Sequence, residues 1–211
     1  MGREGVSTQG DSAGPGMVLV ISGPSGVGKT TITTAVRQQL ADAVFSVSAT
    51  TRAPTANEQH GREYYFLSPE EFQDWIDRGE FLEHAQFAGN WYGTPWRPVA
   101  EQVAEGHVIM LDIDVQGGSQ VKAKIPDAFS IFILPPSEED LLLRLRKRAR
   151  EGEEAIQRRF REAKREIEQA RGSGAYDVFV VNDDLAGAVE RVLREVREER
   201  SRRAAAQAAG G

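Results

Sequence analysis

The chain has 211 residues, of which 40% are hydrophobic and 8% aromatic, enough for one well-buried core with an inserted lobe. Its 26 basic against 32 acidic residues leave a net charge of −6, which argues against a general nucleic-acid or anionic-membrane surface and confines any polyanion site to a local patch. The absence of cysteine excludes disulfides and thiolate metal sites and suits a cytoplasmic setting, while no apolar run approaches the ~20 residues that span a bilayer.

Residues 1–16 are rich in Gly, Ser and charge and read as a disordered extension without the apolar stretch of a signal peptide. Residues 17–21, Met-Val-Leu-Val-Ile, form a continuous apolar run of the kind buried on both faces of a parallel sheet. Gly23, Pro24, Ser25, Gly26, Val27, Gly28, Lys29 and Thr30 follow and fit the phosphate-loop pattern G-x-x-x-x-G-K-[ST] at every fixed position. The glycines let backbone N–H groups turn inward as an anion nest, Lys29 supplies a point charge for the outer phosphates, and the Thr30 hydroxyl suits Mg²⁺, a hard cation. Ile32, Ala35, Val36 and Leu40 recur at helical spacing, so the loop joins a strand to a helix whose N-terminal dipole also favours phosphate.

Residues 45–100 interrupt the strand–helix rhythm with short segments, aromatics and turn signals, and read as an inserted lobe. Within them Ser68, Pro69 and Glu71 form a helix start, Ser68 capping and Glu71 closing a capping box, with Phe72, Trp75 and Ile76 facing inward. A second apolar run, 108–114, ends in Asp112 and Asp114, one pleat apart and on the same face because strand side chains alternate. Further strands end at Pro135-Pro136 and at Asn182-Asp183-Asp184, and helical patterns cover 138–150, 153–171 and 185–203, with the residues after 203 as a fraying end. This alternation predicts an α/β fold, a parallel sheet with covering helices whose strand ends line one ligand-binding edge.

Taken with the loop, the blocks Ser-Ala-Thr-Thr-Arg-Ala-Pro at 48–54, Gly-Arg-Glu-Tyr-Tyr-Phe at 61–66, Phe-Leu-Glu at 81–83, Gly-Asn-Trp-Tyr-Gly-Thr at 89–94, Leu-Asp-Ile-Asp-Val-Gln-Gly at 111–117 and Val-Asn-Asp-Asp at 181–184 resemble the guanylate kinases over residues 17–203. The resemblance implies a P-loop core for ATP, a small lobe for GMP or dGMP, and an arginine-bearing lid near 144–160. It implies transfer of the terminal phosphoryl group of ATP to GMP with Mg²⁺, on small-molecule substrates and without nucleic acid or membrane. By it, Arg52, Tyr64 and Tyr92 grip the GMP phosphate, Glu83, Asp114 and Ser48 read the guanine, and Gly93 and Thr94 complete that site. Asn182 belongs to the ATP site, and Arg144, Arg148 and Arg159 clamp the transferring phosphoryl group.

Guanine presents N1–H and N2–H₂ as adjacent donors, so a buried carboxylate such as Glu83 discriminates strongly by accepting from both. Asp112 ends its strand where P-loop proteins orient Mg²⁺ through water. Arg144 and Arg148 are four apart on one helix face, and Arg159 falls near the same angular position if the helix resumes; Arg146, Lys147 and Arg150 then face solvent. Two positions depart from the family pattern. Thr55 stands where a second phosphate-gripping arginine is usual, and Ala149 replaces a glycine after Arg148. The alternatives are a kinase for another phosphorylated small molecule and a non-catalytic guanylate-kinase-like module that binds phosphorylated proteins.

Overall fold

The computed structural model describes residues 14–148 and 152–210. Strand β1 (Met17–Ser22) leads through the glycine loop into α1 (Lys29–Gln39), and β2 (Ala43–Phe45) and β3 (Ala49–Thr50) follow. Then come β4 (Tyr65–Phe66), α2 (Pro69–Asp77), β5 (Phe81–Phe87), β6 (Asn90–Pro95) and α3 (Trp96–Ala104). The chain returns through β7 (Val108–Asp112), α4 (Val115–Lys124), β8 (Phe129–Leu134), α5 (Glu138–Arg148), α6 (Glu153–Ser173), β9 (Val178–Val181) and α7 (Leu185–Gly210).

The first sheet is parallel throughout, in the order β2-β7-β1-β8-β9. Burial along β1 alternates between two layers. Met17, Leu19 and Ile21 pack with Ile32 and Val36 of α1 and Val189, Val192 and Val196 of α7. Val18 and Val20 pack on the other face with Leu111, Val121, Phe132 and Tyr176. Each such side chain contributes about 1.5–3 kcal/mol by leaving water, which is why an uninterrupted apolar run is tolerated only at the sheet centre. Among the described residues no helix is long and apolar enough to cross a membrane.

A second, mixed sheet in the order β4-β3-β6-β5 is formed wholly within residues 49–95. Its small core stacks Phe72 on Phe81 at 4.4 Å between ring centres, with Trp75, Ile76 and Trp91 half-buried around them. The capping box of α2 forms as its sequence predicts: Glu71 N–H donates to Ser68 Oγ at 3.1 Å and Ser68 N–H donates to Glu71 Oε2 at 2.7 Å. The strand β2 went unrecognised in the sequence because three residues are too few to display a period.

Three expectations change. The strand β7 stops at Asp112, and Asp114 is the N-cap of α4, its Oδ1 accepting the Gly117 N–H at 2.8 Å; a carboxylate so bonded starts a helix more readily than it continues a strand. The helix α5 ends at Arg148 and α6 begins at Glu153, so Arg159 does not share a helix face with Arg144. The C-terminal residues expected to fray continue α7 to Gly210. Residues 1–13 of the expected extension, and Ala149, lie outside the described residues, whereas Gly16 packs so closely on α3 that a side chain there would collide with the Val103 carbonyl oxygen.

Packing is also close at Gly118 of α4, where an added methyl group would collide with the hydroxyl of Tyr176, itself packed edge-on against Phe132 at 5.0 Å. Gly118→Ala is expected to destabilise the fold by about 1–3 kcal/mol, as overpacking does. Adding Tyr176→Phe should recover part of that loss, as read by urea unfolding followed by circular dichroism.

Candidate active site

The glycine loop is shaped by its backbone and held by its surroundings. Gly26 and Gly28 have φ of 87° and 98°, a left-handed conformation that costs other residues about 1–2 kcal/mol. Val27 sits between them fully buried, and its carbonyl oxygen accepts from Asn182 Nδ2 at 2.7 Å and from Arg144 Nη1 at 3.1 Å. A second Arg144 nitrogen donates to the Asn182 carbonyl at 2.8 Å, which closes a ring from loop to β9 to α5. Pro24 is buried and accepts the Val27 N–H at 3.1 Å, Gly23 backs onto β8, and Thr30 stands exposed on the first turn of α1. Arg159 reaches the same loop from α6, donating to Ser25 Oγ at 3.0 Å. Arg144 and Arg159 are thus brought together across two helices, while the Arg148 side chain lies outside the described atoms.

Beside the loop, Gly26, Gly28, Thr31, Arg144, Asn182 and Asp184 border a cavity of about 270 Å³. Lys29 points the other way, with Nζ 2.7 Å from Asp112 Oδ1 and donating to the Ile113 carbonyl at 2.9 Å. The other Asp112 oxygen accepts from Thr33 Oγ1 at 3.2 Å. Among the described residues no three acidic or histidine side chains cluster as a metal cage. The Asp112 carboxylate and the exposed Thr30 hydroxyl are oxygen donors of the kind a hard cation takes together with waters.

The second half-site lies between the two sheets. Glu83 of β5 is 7% exposed; one carboxylate oxygen accepts from Thr94 Oγ1 of β6 at 2.6 Å, and the other faces Gly117 of α4 so closely that a Cβ there would sit 3.0 Å away. Burial pushes the Glu83 carboxyl above its usual range, and the nearby Asp114 carboxylate adds to the rise. The strand carrying Glu83 is tied to α4 by Gln120, whose amide exchanges two hydrogen bonds of 3.1 Å with the His84 backbone, and by Lys124, which donates to the Phe81 carbonyl at 2.5 Å. Gly93 is buried against Glu83 and Phe81, where only a glycine fits without displacing backbone. Half-buried Ser48 precedes β3 at the margin of this sheet, its carbonyl accepting the Tyr65 N–H.

Arg52, Tyr64 and Tyr92 converge as the sequence suggested. The Arg52 guanidinium lies 5.4 Å from the Tyr64 ring centre, and the Tyr64 and Tyr92 rings meet edge-on at 6.2 Å. Sequence reasoning missed Glu58, which takes the end of the Arg52 fork, and Glu166 of α6. The latter directs its carboxylate at the Ser25 backbone N–H, and burial, reinforced by the Glu162 and Asp114 charges, raises its pKa. A carboxylate three turns into an amphipathic helix carries no local signal of this placement; only the fold brings it to the loop.

A strand, a glycine loop and a helix carrying Lys29 and Thr30, set at the carboxyl end of the central strand of a parallel sheet, define a P-loop nucleotide-binding α/β protein. A family model described as guanylate kinase matches residues 16–199. The chain is 50% identical over 182 residues to the guanylate kinase of Gloeobacter violaceus, covering 86% of this chain and 87% of that protein. It is 47% identical over 189 residues to that of Myxococcus xanthus, covering 90% of each. The crystal structure of guanylate kinase from Anaplasma phagocytophilum superposes with a TM-score of 0.66 at 34% identity, covering 89% of this chain and 87% of that one. The chain belongs to the guanylate kinase family.

A Cβ at position 28 would meet Asn182 Nδ2 at 2.8 Å in addition to the backbone strain. Gly28→Ala is therefore expected to weaken ATP binding by about tenfold or more, a factor that corresponds to about 1.4 kcal/mol. Calorimetric titration with ATP measures it.

Proposed function

We propose that the chain catalyses ATP + GMP ⇌ ADP + GDP, with the loop region as donor site and the cleft around Glu83 as acceptor site. The observation that carries this reading is that one short segment, residues 112–117, serves both: Lys29 of the loop bonds Asp112 and Ile113, and Glu83 abuts Gly117. A phosphate-binding loop and a buried base-reading carboxylate so joined suit transfer between two nucleotides better than hydrolysis of one.

In this mechanism Glu83, with Asp114 and Ser48, accepts from the guanine N1–H and N2–H₂, and Thr94 holds the carboxylate in register. Arg52 donates to the acceptor phosphate, joined by the Tyr64 and Tyr92 hydroxyls. An oxygen of that phosphate, already anionic at neutral pH, attacks the γ-phosphorus of ATP in line as the bond to the ADP oxygen breaks, so no general base is needed. Lys29 moves from Asp112 onto the outer phosphates, and Arg144, Arg148 and Arg159 balance charge on the transferring group while water is excluded. Thr30, and Asp112 through water, would hold Mg²⁺, which neutralises charge on the terminal phosphates when bound.

ADP release measured in parallel with GMP, dGMP, AMP, UMP and CMP is expected to respond to the two guanine nucleotides; an equal response to AMP would overturn the reading. Lys29→Ala and Arg148→Ala are expected to lower turnover by orders of magnitude with the circular dichroism spectrum unchanged.

Only ionised Glu83 accepts from both guanine donors, and its pKa is raised. GMP affinity should therefore fall as pH decreases, beginning at a higher pH than for a solvent-exposed carboxylate. The Thr94 hydrogen bond opposes that rise, so Thr94→Val should move the loss to still higher pH, as followed by the GMP dissociation constant across a pH series.

A further inference from the structure

The guanidinium of Arg52 is used unevenly. Its Nη1 donates to Glu58 Oε2 at 3.0 Å and to the Ala53 carbonyl at 2.8 Å, and its Nη2 donates to Glu58 Oε1 at 2.7 Å. The end of the fork is thus bound two-to-two by Glu58, and the outer side of Nη1 by the backbone. Of the five N–H groups of an arginine, Nε–H and the second hydrogen of Nη2 share the remaining edge, a spacing that itself matches two phosphate oxygens, and the Tyr92 hydroxyl also interacts with the guanidinium. The Tyr64 and Phe66 rings lie 5.4 and 5.8 Å from the guanidinium carbon and limit its tilt.

Glu58 is in turn held from its own loop. Its Oε2 accepts from the Thr55 backbone N–H at 2.8 Å and from Thr55 Oγ1 at 2.9 Å, besides Arg52. These bonds, the Arg52 pair first, hold the Glu58 carboxyl down to about 2, so it remains an acceptor at any physiological pH. Thr55 is thereby committed to Glu58 through both its hydroxyl and its backbone. It has no long cationic arm with which to reach a phosphate.

We propose that Glu58 is a positioning residue which, clamped by Thr55, fixes the Arg52 guanidinium so that its Nε–Nη2 edge is presented to the acceptor phosphate. The inference rests on the acceptor site proposed above. It gives Thr55 a part that its sequence position does not suggest: it acts on the phosphate only through Glu58 and Arg52. The opposite arrangement, in which Glu58 fills the phosphate's place and must be displaced, predicts the reverse sign for the same substitution.

The test measures steady-state constants for GMP and ATP, the dissociation constant of GMP by calorimetry, and the inhibition constant of guanosine, which lacks the phosphate. Glu58→Ala is expected to raise the GMP dissociation constant and KM by about tenfold or more, the effect of losing about 1.4 kcal/mol of orientation. The guanosine constant and the KM for ATP should stay within about twofold of wild type, on the same scale. Glu58→Gln, which keeps one acceptor oxygen, should fall between. Thr55→Val should weaken GMP binding less than Glu58→Ala and add nothing in the double variant, because it acts through the missing carboxylate.

Unchanged or tighter GMP binding in Glu58→Ala, equal weakening of guanosine, or full additivity of the two substitutions would overturn the proposal. A wild-type chain that bound no GMP would remove the acceptor-site reading and this inference together. Wild-type transfer to GMP with an indifferent Glu58→Ala would remove the inference alone.

Discussion

The ion pair between Lys29 and Asp112, with the Lys29 bond to the Ile113 carbonyl, ties the glycine loop to the segment that begins α4. Asp114 then caps that helix, and Gly117, one turn on, provides the bare backbone against which Glu83 is buried. Three requirements are met within six residues: an ion pair with the loop lysine, a helix cap and a close approach. A substitution in this segment reaches the glycine loop and the buried Glu83 carboxylate at once. The parallel sheet exists in large part to deliver it, since β7 pairs with β1 over its full length and brings both loops to the same edge.

The electrostatics follow from local concentration of charge on a chain whose net charge is negative. Arg144 and Arg159 arrive from separate helices, each bonded to a backbone or hydroxyl group of the glycine loop, and Lys29 rises from the loop itself. Among these contacts, Arg144 bonds the Val27 and Asn182 carbonyls, Arg159 bonds the Ser25 hydroxyl, and Lys29 pairs with Asp112. Positive charge fixed in this way needs little rearrangement to meet an anion at the loop. Glu166, a half-buried carboxyl beside Ser25, is an acidic neighbour of the same loop.

Much of this was legible in order of locality. The strand–loop–helix around Lys29, the capping box at Ser68 and the strand ending at Val181 are written in consecutive residues, and each has the form its pattern predicts. The meeting of Arg52 with Tyr64 and Tyr92 was legible only through resemblance, because residues so far apart share no local period. Asp114 was misassigned to a strand because an alternating run and a helix cap both tolerate aspartate, and hydrogen bonding to Gly117 decides between them. The phase argument for Arg159 failed because α5 and α6 are two helices, and angular position does not carry across a break. Gln120, Lys124 and Glu58 were invisible because an amide or charge on a polar face looks the same whether it is solvated or bonded to a distant backbone.

The bonds from Gln120 and Lys124 have a mechanical consequence. The second sheet meets the core through side-chain donors and acceptors and through packing of Leu82, and among the described residues no strand ladder runs between the two sheets. A ladder yields only when many bonds fail together, whereas an amide or ammonium group trades a carbonyl for water singly, at a net of about 0.5–1.5 kcal/mol each. The seam between the sheets is thus held by bonds that can exchange with water one at a time, whereas each sheet is held by a cooperative ladder.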